Sequence, residues 1–76
     1  MSSYNGWANW DTWNTYNWLS SDEGTYNEAM ELAQEHIDTF GIFVAAFVKD
    51  VNEHWAEGID FDKVNIAELL AALLDE

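Results

Sequence analysis

The chain contains no cysteine, no proline and no arginine, and Lys49 and Lys63 are its only basic side chains besides two histidines. Without cysteine there is no disulfide framework, no thiolate zinc site and no cysteine nucleophile. Fifteen Asp and Glu against two lysines give a formal net charge of -13. Direct binding to nucleic acid or to an anionic membrane surface is therefore not expected, because both require basic groups that replace counterions. Long apolar runs are missing too. The longest, Ile42 to Val48, is seven residues, against the roughly 20 that a membrane-spanning helix needs, and the start MSSYNGW has neither a basic region nor an apolar stretch. These features point to a soluble, cytoplasmic protein.

The absence of proline, with only four glycines, leaves no linker, low-complexity segment or internal repeat, so residues 1–76 read as one domain. At 76 residues the chain lies near the lower limit at which a hydrophobic core outweighs conformational entropy without help from a staple. Its abundance is in aromatics: twelve in all, five of them Trp. Each aromatic removes about 150–250 Å² from water when buried. The sequence therefore predicts an aromatic core built from Trp7, Trp10, Trp13, Trp18, Tyr26, Phe47 and Trp55.

Helical periodicity runs through the chain. Trp10, Trp13, Tyr16 or Asn17, and Leu19 follow a three-to-four spacing, with Asn9 or Asp11 as N-cap, and predict a helix over about 10–20. Thr25 to Glu28 form a capping box, and Tyr26, Ala29, Met30, Ala33, Ile37 and Phe40 make a stripe that predicts a second helix ending at Gly41 as C-terminal cap. A third helix is predicted over about 42–57, with Val44, Phe47, Val48, Val51 and Trp55 on one face and Gly58 closing it. Asn65 to Glu68 form a second capping box, with Val64 and Leu69 placed as a hydrophobic staple, and open a fourth helix carrying Ile66, Leu69, Leu70 and Leu73. The fold class is all-α: a small single domain of four short helices around an aromatic core.

Asn5-Gly6-Trp7, Asn9, Thr12-Trp13-Asn14, Trp18-Leu19 and Asp22-Glu23-Gly24 with Tyr26 resemble the opening signature of small, mostly uncharacterised Trp-rich proteins carried by phages, archaeal viruses and mobile elements. The resemblance covers about a third of the chain and implies a viral setting, hence the cytoplasm of a host cell. It carries no catalytic residue onto these positions. The pattern departs at Thr15, where the family has an aliphatic residue. An aromatic platform for sugar rings, edged by Asn and Asp, is the functional alternative to the core reading of the tryptophans. A nucleic-acid platform is not expected, because stacking on bases ordinarily accompanies a positively charged groove.

The acids form the other pattern. Glu28, Glu31, Glu35 and Asp38 fall at i, i+3, i+7 and i+10, opposite the apolar stripe of helix two, and predict one negative ridge. At about 1.5 Å rise per residue, four carboxylates spread over roughly 15 Å, a spacing comparable to the 3.4 Å rise per phosphate of a DNA strand. Asp22 and Glu23 precede the ridge, and Asp50, Glu53 and Glu57 extend the acidic surface along helix three. Like charges at these offsets each destabilise a helix by about 0.2–0.5 kcal/mol. A surface of one sign is also far from the mixed surface of an ordinary soluble domain. Two causes fit: a partner whose nucleic-acid cleft is lined with Arg and Lys, or a high-salt habitat.

Catalytic patterns are missing. His36 and His54 have no His-Glu-x-x-His spacing, and Asp60 and Asp62 match only the first two ligands of a calcium loop. No serine has a base in context and no glycine-rich loop is present, so no enzyme, metal or cofactor is expected. The leading expectation is an anti-defence protein, an anti-CRISPR or anti-restriction inhibitor whose carboxylates enter the basic DNA-binding cleft of a host Cas effector or restriction enzyme. Its composition resembles that of small acidic inhibitors of this kind. The alternative is a non-enzymatic interaction module that docks through an apolar or aromatic patch, for which Trp7, Trp18 or Phe61 would serve. Whether the chain acts as monomer or dimer stays open.

Overall fold

A computed structural model describes residues 6–75. Among them are four α-helices and one 3-10 turn: α1 Trp10–Leu19, α2 Glu23–Glu35, α3 Ile37–Trp55, the turn Phe61–Lys63 and α4 Ile66–Leu74, with no β-strand. The all-α architecture of four helices holds. The central element is α2, which packs against α1, α3 and α4, while α4 also packs on α1.

Local chemistry sets the helix starts. The Asn9 side chain accepts from the Thr12 amide at 2.8 Å and opens α1, and Asn65 accepts from the Glu68 amide at 3.0 Å and opens α4. The second helix starts earlier than its sequence pattern suggests. Asp22, not Thr25, is its cap, and its carboxylate accepts from both the amide and the hydroxyl of Thr25 at 3.0 Å. An anion in that position satisfies orphan N–H groups and complements the positive end of the helix dipole.

The boundary between α2 and α3 also moves. The sequence places it at Gly41, but the helix breaks at His36 (φ -140, ψ 79), and Gly41 lies inside α3. Neither Gly nor Pro marks the break. Burial sets it: Phe40, Val44, Val48 and Val51 form the buried stripe of α3, and the chain must turn before Phe40 for that stripe to face α2. Ile37, counted with the stripe of helix two, is left 60% exposed as a result. At the far end α3 stops at Trp55, because Ala56 adopts the left-handed conformation (φ 53, ψ 40) two residues before Gly58. Glu57 accordingly lies in the following loop and not on the helix.

The core is aliphatic, which overturns the predicted aromatic core. Leu19, Ala29, Ala33, Phe40, Val44, Val48, Val51, Ile59, Val64, Leu69 and Leu73 fill it, with Phe40 its one aromatic ring. Trp7, Trp10, Trp18, Tyr26 and Phe47 are half-buried against its edge, Trp13 is half-buried on α1, and Trp55 is exposed. The reason is space. The small side chains Ala29 and Ala33 on α2 are fully or almost fully buried, so the helices around them come too close to admit an indole, and large rings are driven to the rim, where one edge stays wet. There they pair with each other: Trp7 on Tyr16 at 4.9 Å between centroids, and Trp18 stacked on Trp55 at 5.5 Å.

Candidate functional site

The asparagines and threonines of the Trp-rich segment have a role that their sequence pattern did not reveal. They fasten α1 to the loop between α3 and α4. Asn9 Nδ2 donates to the Lys63 carbonyl at 2.8 Å, Thr12 Oγ1 accepts from the Asn65 amide at 2.9 Å, and Asn14 Nδ2 donates to Glu57 at 2.9 Å. The Asp11 carboxylate, itself buried, accepts from the Asp60 amide at 2.9 Å. From the other side Asn52 holds Ile59 through both its backbone groups, each at 2.8 Å. The loop, whose Ile59 and Val64 are buried, is thus held by side-chain hydrogen bonds along its irregular backbone. Thr15 is fully buried and turns its hydroxyl back to the Asp11 carbonyl at 2.7 Å. The buried hydroxyl thereby has a partner inside the helix.

This network bears on the aromatic platform. Asn9, Asp11 and Asn14, the polar groups that would edge a sugar site, are engaged within the fold. Asn5 lies outside the described residues. Among the large apolar side chains, Ile37, Ile42, Trp55 and Leu74 are exposed. Trp7, Trp18 and Phe61, selected from sequence as a docking patch, are half-buried against the core instead.

The acids divide by what they touch. Glu28, Glu31 and Glu35 lie exposed on α2, with Asp22 and Glu23 at its start. Asp38 is separated from this ridge by the break at His36 and belongs to the first turn of α3. The ridge on α2 is thereby shortened to eight residues, Glu28 to Glu35, about 10 Å of helix. Asp50 and Glu53 are exposed on α3. Glu57 is half-buried and committed to Asn14. Glu68, in the fourth-helix capping box, does not reach back to Asn65. Both its oxygens accept from the Ala8 amide, at 3.0 and 3.1 Å, and tie the N-terminal segment to α4. Asp60 caps the 3-10 turn by accepting from the Asp62 amide at 3.0 Å. No group of three or more His, Cys, Asp or Glu side chains among the described residues is arranged to hold a metal ion.

Neutralisation inside the fold is slight. Among the described residues neither Lys49 nor Lys63 lies within ion-pairing distance of a carboxylate, and the two ion pairs present involve histidine. His54 Nδ1 is 3.1 Å from Asp50 Oδ1 and 2.9 Å from the Asp50 carbonyl. The carbonyl and the carboxylate raise the His54 pKa above its ordinary value. The hydrogen bonds from the Thr25 amide and hydroxyl hold the Asp22 carboxyl below its own. Asp22 therefore stays ionised as the cap of α2.

No described helix is long and apolar enough to cross a membrane. Comparison with curated proteins and comparison with solved structures each return no match. The model of one family, described as a family of unknown function (DUF7249), matches residues 1–76, and the chain belongs to that family.

Proposed function

We propose that the protein is a phage anti-defence factor that binds a host enzyme acting on nucleic acid, either a Cas effector or a restriction enzyme, and blocks its DNA-binding cleft with carboxylates. One observation carries the reading. Glu28, Glu31 and Glu35 line α2 in the open, Asp50 and Glu53 do so on α3, and no lysine among the described residues pairs with any of them. Such a surface, offset within the fold only by His36 beside Glu35 and His54 beside Asp50, leaves a strong field for a cationic partner and speeds encounter by electrostatic steering. The firm packing of α2 against three helices limits the ordering entropy lost on docking. Asp22 and Glu57 support the surface from within the fold, one as helix cap and one as latch, and Asp38 adds its charge from the next helix.

The test is a double reversal, Glu31→Lys with Glu35→Lys. The chain is used to capture a partner from host lysate, the partner's DNA cleavage is assayed with increasing amounts of the chain, and the variant is then compared. The variant should keep its helical circular dichroism and lose inhibition. Inhibition that survives both reversals removes the α2 ridge from the contact.

A further inference from the structure

Helix α3 is nineteen residues long and buries one stripe, Phe40, Val44, Val48 and Val51. Of the other helices only α2 packs broadly against it. The opposite face carries Asp38, Ile42, Ala45 and Lys49 at i, i+4, i+7 and i+11, the spacing of a helix–helix seam. Asp38, Ile42 and Lys49 are exposed and Ala45 is half-buried. At 71% exposure Ile42 is the most open of the large apolar side chains described. Beside it Gly41 presents bare backbone, where an added Cβ would meet nothing within 4 Å, so a second helix can approach closely.

We infer that this face pairs antiparallel with the same face of a second copy of the chain. In an antiparallel seam of this register Asp38 faces the partner's Lys49, and Ile42 packs over the partner's Ala45. Two-fold symmetry repeats each contact, giving two ion pairs that flank two large-on-small contacts. Charge selects both the occupant and its direction. A parallel copy would set Asp38 against Asp38 and Lys49 against Lys49, whereas an antiparallel copy matches opposite signs at both ends. Lys49 is one of only two lysines in a chain of net charge -13, and it sits at the end of the stripe opposite its only acid. The seam spans twelve residues, Asp38 to Lys49, about 16 Å. That is short for an interface, so the dimer is weak and forms with rising concentration. The α2 ridge stays free in this dimer.

Sedimentation equilibrium of the full chain, up to about 1 mM, tests the inference. The wild type should show a monomer–dimer equilibrium, and Ile42→Glu should remain monomeric. Asp38→Lys alone and Lys49→Asp alone should each raise the dimer Kd by about tenfold or more, because two attractions become two repulsions. The double exchange should restore it. All four positions changed or faced are on the outer side of α3, and circular dichroism verifies that the variants fold. A wild type that stays monomeric throughout overturns the proposal and leaves the face to a different chain. A dimer that survives Ile42→Glu, or a double exchange no better than the single ones, overturns it equally.

Discussion

Gly41→Ala separates two descriptions of the chain by the sign of its effect. If Gly41 closed the second helix in a left-handed conformation, as the sequence pattern suggests, alanine there would cost about 1–2 kcal/mol. In the structure Gly41 lies four residues inside α3 without a positive φ, and a methyl group added there would meet no atom within 4 Å. Alanine should then stabilise the fold by about 0.5–1 kcal/mol, since glycine gives up more backbone freedom in a helix interior. For a domain of this size the gain corresponds to a rise in Tm of about 2–8 °C. Gly58→Ala is the internal control. Its φ is +75, so the same substitution should destabilise by about 1 kcal/mol. Thermal and urea unfolding, followed by circular dichroism at low protein concentration, measure both. A destabilised Gly41→Ala protein would place the helix boundary back at Gly41 and refute the break at His36.

Three further outcomes are expected. Thr12→Val preserves the shape of a fully buried side chain but leaves the amide of the exposed Asn65 without its 2.9 Å acceptor. It should cost about 1–3 kcal/mol and speed hydrogen exchange of that amide, and an unchanged urea midpoint would count against the latch. Glu31→Lys replaces repulsion from Glu28 and Glu35 with attraction, so in low salt it should stabilise the fold by about 0.5–1 kcal/mol while weakening partner capture. A less stable variant would mean that the exposed ridge has an unrecognised structural role. His54, whose pKa is raised by Asp50, favours the folded state fully below its unfolded value of 6.5. That contribution is lost as pH rises through the higher folded value. Titration of its ring signals by NMR should show the raised value fall only partway in Asp50→Asn, because the Asp50 backbone carbonyl, the larger cause, remains, and the same value in both proteins would discard the carboxylate pairing.

The parts of the fold legible in sequence are those set by local chemistry. Asn9 and Asn65 announce α1 and α4 because their side chains cap the amide three residues on, a rule that needs no tertiary information. The break at His36 has no such marker. It follows from which residues must meet the core, and the continuous stripe from Tyr26 to Phe40 conceals it. The tryptophans misled for a related reason. Hydrophobicity says that a ring prefers burial, but the available volume depends on Ala29 and Ala33, whose closeness to neighbouring helices only the packed structure fixes. The exposed carboxylates of α2 were legible from helical period. The commitments of Glu57 and Glu68 were not, because their partners Asn14 and Ala8 are distant in sequence. The polar latch around Thr12 and Asn52 was hidden for the same reason, although the ordered Asn and Thr positions between the tryptophans were its visible trace.

The most direct test of an acidic surface fitted to a basic cleft is the salt dependence of the affinity between the chain and its captured partner, measured from low to physiological ionic strength and beyond. Affinity should fall steeply as salt rises, while the domain stays folded in dilute buffer and DNA displaces it from the partner. An affinity that holds or strengthens with salt, or a chain that unfolds in dilute buffer and regains its fold only in concentrated salt, would contradict the reading and assign the acidity to an apolar docking mode or to a high-salt habitat.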